Sequence, residues 1–334
     1  LGAAFVPAAT VACQDDDSND GTDMGGSAGA GAGAGVGGSS TTGGAPSGTG
    51  GGGGDVTAPA SILEIAADNP DLSLLVDAVT KAGLAEALAG DPLTVFAPTN
   101  DAFVDLLEAL GLASLDDLSA EQLKPILLYH VVGARVDAAA ATTIAEGDGV
   151  AESLGGKFVL ALDGDALTVD NATVIEADIE ASNGIVHVID AVLLPSITDI
   201  VTTDASLSGL KTLVLAADGD GGTPAIATAL DAASTPGAWP LFAPNNSAVE
   251  AVTSPPSGQD LTNVLLYHAI ASAEPVYAAA ALALDNASVE TAFAGHDVVV
   301  NGGTGVTITD ETDATATVTV ADLYAENGVI HVIE

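Results

Sequence analysis

The chain has 334 residues, 48% hydrophobic and 3% aromatic, and its 46 acidic and five basic residues give a formal net charge of −41. That length suits about two ordinary domains, with cores built from Val, Leu, Ile and Ala. The five bases, Lys81, Lys124, Arg135, Lys157 and Lys211, form no cluster, which excludes a phosphate-binding surface for nucleic acid and disfavours anionic lipid headgroups.

Neutral or cationic partners, or partners bridged by divalent cations, fit this charge. Acidity on this scale also keeps a protein soluble in brine, where salt screens self-repulsion. Scarce Lys beside abundant Asp, Ala, Val and Thr resembles proteins of salt-loving, halophilic microbes. The functional alternative is a sticky surface that depends on calcium.

Residues 1–13, LGAAFVPAATVAC, read as the tail of a signal peptide, with small residues before Cys13 and then Gln14-Asp15-Asp16-Asp17. The pattern resembles a bacterial lipoprotein signal, although Thr10 stands where Leu is usual. The resemblance implies a diacylglyceryl group on Cys13. The protein would then be exported and anchored to a bacterial membrane by lipid alone, at the cell surface or in the periplasm. No apolar run approaches the roughly 20 residues of a membrane helix, and a single cysteine allows no intrachain disulfide. Residues 14–57 are dominated by Gly, Ala, Ser and Thr. They are expected to form a disordered tether with an r.m.s. span of roughly 35–40 Å.

Structure is expected from Ala58 onward. Ser61 to Glu64 fits a capping box that opens a helix with Ile62, Ile65 and Ala66 on one face. Asp71 to Leu88 predicts two more short helices, with Gly83 between them and Gly90 as a stop. TVFAP is a buried strand ended by Pro98, and Asn100 or Asp101 is the expected cap of the helix DAFVDLLEAL. Ser119 to Gln122 is a second capping box, before the helix that ends in LLYH. After about Val131 the pattern turns to strands, KFVLAL, ALTVD, ATVIEADI and GIVHVIDAVLL, separated by DGD and SNG turns. Helices followed by an antiparallel sheet give an α+β order.

Three landmarks then recur in order. Leu93–Phe103 (LTVFAPTNDAF) is matched by Trp239–Val249 (WPLFAPNNSAV), LLYH ends at His130 and again at His268, and Asn183–Asp190 (NGIVHVID) is matched by Asn327–Glu334 (NGVIHVIE). The offsets are 146, 138 and 144 residues, a domain-sized period that indicates tandem homologous modules at 58–195 and 196–334. TVFAPTNDAF, then YH, then NGIVHVIDAVLLP resembles the signature of the fasciclin-like (FAS1) domain family. The resemblance implies two tandem modules, each a β-sheet wedge with packed helices. It further implies secreted or surface-anchored adhesion modules that bind cell-surface proteins, matrix or polysaccharide, with no common enzymatic activity. Ser247 replaces Asp101, and the second copy stops at Glu334 where the first continues AVLLP, so module 2 is expected to be C-terminally incomplete.

The resemblance points to Tyr129, His130, Tyr267 and His268 as adhesion candidates. Both pairs also end an amphipathic helix in a Leu-rich frame, where the His complements the helix C-terminus and the Tyr packs with its hydroxyl outward. Catalytic residues are not expected: GxSxG and HExxH are absent, and no usable Cys accompanies the histidines. His187 and His331 sit among Val and Ile on strands, His296 stands apart, and five scattered histidines have no zinc spacing. Asp15 to Asp17, Asp163-Gly164-Asp165 and Asp218 to Gly222 allow weak calcium binding at most, because Ala229 holds the twelfth position where an EF-hand needs Glu. No cofactor is expected. Gly302 to Gly305 is a hairpin-type turn, and the sequons at Asn171, Asn245 and Asn286 would stay unmodified in a bacterial lipoprotein. The leading expectation is a surface-anchored adhesion protein; the alternative is a binding protein for a small apolar ligand such as a lipid or pigment.

Overall fold

The structure, a computed structural model, describes residues 59–90, 92–219, 239–270, 276–284, 286–303 and 305–334. Cys13, the expected tether, the Asp15 to Asp17 run and Asp220 lie outside the described residues.

Local signals set the first half of module 1. Helix α1 (Ile62–Asp68) opens with the expected capping box: Ser61 Oγ accepts the Glu64 N–H, and the Glu64 carboxylate accepts the Ser61 N–H at 2.8 Å. Helix α2 (Ser73–Ala82) stops at Gly83, whose φ of +69° is the left-handed cap that glycine adopts without strain. The second helix expected before Gly90 is only a 3₁₀ turn, Ala87–Ala89. Strand β1 (Leu93–Pro98) is buried throughout and leads into α3 (Asn100–Ala109).

The cap of α3 is Thr99, whose Oγ1 accepts the Ala102 N–H, and neither Asn100 nor Asp101 fills that role. Asn100 instead turns back to α2, accepting the Leu74 N–H at 2.9 Å and donating to Pro70 O at 2.9 Å. An amide can do both, so this position ties two helix starts together. Asn246 repeats the device in module 2, with Gly209 N–H and Ala205 O.

Helix α4 (Ala120–Tyr129) carries the second capping box, Ser119 with Gln122. Strand β2 (Val131–Val132) follows, and then a helix the strand-like second half did not announce, α5 (Ala138–Glu146). Its four-alanine start and the Asp137 cap favour a helix locally. Strands β3 (Val150–Ser153), β4 (Gly156–Asp163), β5 (Ala166–Val169), β6 (Ala172–Ala181) and β7 (Gly184–Ile189) complete the module. Their order is β2-β1-β7-β6-β5-β4-β3. Every neighbour pair is antiparallel except one: β1 and β7 run parallel, with Leu93 opposite Gly184 and Pro98 opposite Ile189.

Module 2 repeats the plan with α6 (Ile197–Thr203), α7 (Ser208–Gly219), β8 (Trp239–Pro244), α8 (Asn246–Ala251), α9 (Gln259–Tyr267) and α10 (Ala278–Leu282). Strands β9 (Ala287–Glu290), β10 (Asp297–Asn301), β11 (Thr307–Thr309), β12 (Thr315–Ala325) and β13 (Gly328–Ile333) follow, ordered β8-β13-β12-β11-β10-β9, with β8 and β13 parallel. The parallel-paired strands of both modules are covered on both faces, as parallel strands usually are. In β1, Val95 and Ala97 join the helix-side core, whereas Phe96 joins a second core with Tyr129, Phe158 and Leu160. In β8, Leu241 and Ala243 part from Phe242 in the same way. Among the described residues no single helix is long and apolar enough to cross a membrane.

The described residues form one compact unit. Tyr324 of β12 is buried in the helix-side core of module 1. Gln122 Nε2 donates to Ala321 O at 3.2 Å and Asp322 O at 3.1 Å. A glutamate would complete the same capping box but could not make these two bonds. Lys157 N–H donates to Asp199 Oδ1 at 3.1 Å, Thr203 Oγ1 to Gly155 O, and Glu326 N–H to Pro195 O.

Candidate functional site

The LLYH pairs stand where α4 and α9 end. His130 is the C-cap residue of α4 and is 1% exposed. Its Nδ1 lies 2.8 Å from Ile126 O, an acceptor only, so Nδ1 carries the proton; its Nε2 accepts the Leu193 N–H at 3.0 Å. Both ring nitrogens are thus committed in the neutral tautomer, and burial lowers the His130 pKa to about 4. The His130 carbonyl accepts the Phe96 N–H, so the same residue also ties the helix end to β1.

Tyr129 is buried against Phe158, edge to face at 6.0 Å. Its hydroxyl is 2.8 Å from Lys157 O and 3.1 Å from Asp170 Oδ2. Burial, followed by the charges of Asp170 and Asp199, pushes the Tyr129 pKa far up, so the phenol keeps its proton. The turn it holds approaches closely: a Cβ on Gly155 would run into the Tyr129 backbone, and one on Gly156 into the Asp199 side chain.

In module 2 the pair is half-buried. His268 Nδ1 donates to Val264 O at 2.7 Å, and the Tyr267 hydroxyl donates to Asp297 O at 3.0 Å. Burial lowers the His268 pKa. His296, which no sequence pattern joined to the others, stacks on Phe293 at 4.2 Å, meets the Tyr267 ring edge-on at 6.3 Å and lies 3.1 Å from Glu311.

The strand histidines do different work. His187 Nε2 donates to Val136 O at 2.8 Å, and its Nδ1 accepts the Asp178 N–H at 3.3 Å. His331 repeats this with Val276 O and the Asp322 N–H. Asp178 and Asp322 have φ of +60° and +57° where the β6 and β12 registers shift. Their carboxylates accept the Ala138 and Ala278 N–H groups at the starts of α5 and α10. Each histidine therefore holds a bulge whose aspartate caps a helix. Sequence reasoning found the histidines and missed the aspartates, although Asp178 and Asp322 keep the same 144-residue offset. Asn183 was likewise read only as a turn residue. It is buried, accepts the Ile62 N–H, and donates to Leu88 O and Gly90 O.

Among the described residues no group of three or more His, Cys, Asp or Glu is placed to hold a metal ion. Asp163 ends β4, and Gly164 takes the turn with φ of +65° before Asp165 and β5.

The Fasciclin domain matches residues 70–195 and again 223–334. The chain belongs to the fasciclin domain family. Protein sll1483 of Synechocystis sp. (strain ATCC 27184 / PCC 6803 / Kazusa) is 43% identical over 136 residues, spanning 40% of this chain and 73% of that protein. The cell surface glycolipoprotein MPB83 of Mycobacterium bovis is 34% identical over 155 residues, 42% of this chain and 66% of that protein. Among solved structures, a FAS1 domain pair from the insect cell adhesion molecule Fasciclin I aligns with 79% of this chain and 95% of its own, at 18% identity and a TM-score of 0.35.

Proposed function

We propose that this fasciclin protein is an exported, non-enzymatic adhesion protein. In this reading acyl chains on Cys13 hold it to a bacterial membrane, residues 14–57 serve as a tether, and the module pair engages matrix, polysaccharide or a cell-surface protein. The observation that carries the reading is the fasciclin match, made once in each module. Similarity to MPB83, a cell surface glycolipoprotein, supports both the surface placement and the lipid anchor. The histidines support binding over catalysis, since both ring nitrogens of His130, His187 and His331 are committed to backbone groups.

The four adhesion candidates divide by exposure. Tyr267 and His268, both half-buried, with the Tyr267 ring edge-on to His296, are the pair with side-chain surface to offer a partner. Tyr129 and His130 are buried and act through the turn and the β7 exit they hold. The second reading, a carrier of a small apolar ligand, draws on a cavity of about 50 Å³ in module 2 lined by Phe242, Ile270, Val300 and Val318. Ligand pockets run from roughly 300 Å³ upward, so adhesion is favoured.

The test is a binding screen of the chain lacking residues 1–57 against insoluble polysaccharides, matrix proteins and intact cells, with and without calcium. Binding to one of these that is lost in folded Tyr267→Ala or His268→Ala supports the reading. Binding to none, with a copurifying apolar molecule instead, sinks it in favour of the carrier.

A further inference from the structure

The two tyrosines of the LLYH pairs differ in one respect. Tyr267 has one donor and one acceptor neighbour: its hydroxyl donates to Asp297 O at 3.0 Å and accepts the Glu311 N–H at 3.3 Å. A phenol with one proton satisfies that arrangement completely. Tyr129 makes the equivalent bond to Lys157 O at 2.8 Å, but its second neighbour is Asp170 Oδ2 at 3.1 Å. A carbonyl and an ionised carboxylate are both acceptors, and one hydroxyl proton serves only one of them well. The other Asp170 oxygen is engaged, accepting the Val159 N–H at 2.7 Å. The pattern closes if Asp170 carries a proton on Oδ2 and donates it to Tyr129, leaving the tyrosine proton for Lys157 O.

Lys157 makes this contact matter beyond module 1. Its carbonyl accepts from Tyr129 while its N–H donates to Asp199 Oδ1 of α6. One peptide segment is therefore gripped from both modules. We propose that a protonated Asp170 and Tyr129 form an acid-favoured clasp on the Gly155–Lys157 turn, and that ionisation of Asp170 loosens the seat of module 2.

Every charged group known to face this point argues the same way. Asp170 lies between β5 and β6, Asp199 comes from α6 and Glu326 from the turn between β12 and β13, and all three act electrostatically on Tyr129. Lys157, the base on the clasped turn itself, has an exposed side chain. Half-burial, reinforced by the charge of Asp199, raises the Asp170 pKa, against the lowering effect of its bonds to Val159 and Tyr129. Once ionised, Asp170 competes for the tyrosine proton, and Lys157 O loses its donor. The clasp concerns the module pair itself and stands or falls independently of any adhesion partner.

The experiment is a carboxyl-carbon NMR titration of the full chain, combined with hydrogen exchange of the Lys157 amide corrected for intrinsic pH dependence. The expected Asp170 midpoint lies above the ordinary aspartate value of about 3.9. Lys157 exchange should quicken as pH rises through that midpoint, roughly tenfold for each pH unit that separates the two values. In Asp170→Asn, whose amide donates to Tyr129 at every pH, the step should vanish. A midpoint at or below the ordinary aspartate value, or Lys157 exchange that ignores the midpoint, overturns the proposal. Should Asp170→Asn fail to fold, the wild-type titration and exchange decide alone.

Discussion

Nε2 of His130 accepts the backbone N–H of Leu193 at 3.0 Å, across 63 residues of chain. The bond joins the end of α4 to the segment that leaves β7, inside the core. His130→Ala removes that acceptor, strands a buried N–H and opens a cavity. The expected loss is about 2–4 kcal/mol of unfolding free energy, read by urea denaturation. A loss below about 0.5 kcal/mol would show that the bond contributes nothing beyond geometry.

The buried histidines make the fold sensitive to acid. Burial holds the folded-state pKa of His130 down to about 4, and lowers those of His268 and His331. A histidine depressed in the folded state binds fewer protons there than when unfolded. Its contribution is therefore whole above the unfolded pKa of about 6.5 and is lost as pH falls toward the folded value. For His130 the loss between pH 6.5 and 4 is about 3 kcal/mol. Unfolding free energy measured across that window should fall, and less steeply in a folded His130→Gln variant. Asp170 works in the opposite direction, since its raised folded pKa makes its contribution greatest at low pH; Asp170→Asn isolates the two effects.

Gln122→Glu separates local from long-range roles of one side chain. The carboxylate keeps the capping bond to the Ser119 N–H but faces Ala321 O and Asp322 O with acceptors. The expected result is intact α4 helicity by circular dichroism with about 1–3 kcal/mol lost from overall stability. Unchanged stability would leave Gln122 with the capping role alone.

The net charge of −41 predicts that the melting temperature rises between low and molar salt, because screening relieves self-repulsion. A melting temperature that stays level over that range would remove brine adaptation as the reason for the acidity.

The amino-acid order alone determined what depends on near neighbours. Capping boxes at Ser61 and Ser119 are read within four residues, and the glycine stop of α2 within one turn. Repetition of FAP, LLYH and NGxxHVI exposed the duplication and the fasciclin resemblance. Thr99 was missed as a cap because Asn100, an equally good capping residue beside it, is drawn to α2 by a partner 26 residues away. The parallel β1–β7 pair was likewise illegible: its partners lie 91 residues apart, and nothing in either strand encodes which neighbour it will find. Tertiary structure also decided what the two tyrosines became. Within the same tetrapeptide, Tyr129 meets a carboxylate and Tyr267 meets a backbone N–H. A side chain's chemistry is written in its own atoms, but its proton goes where the folded chain places the nearest acceptor.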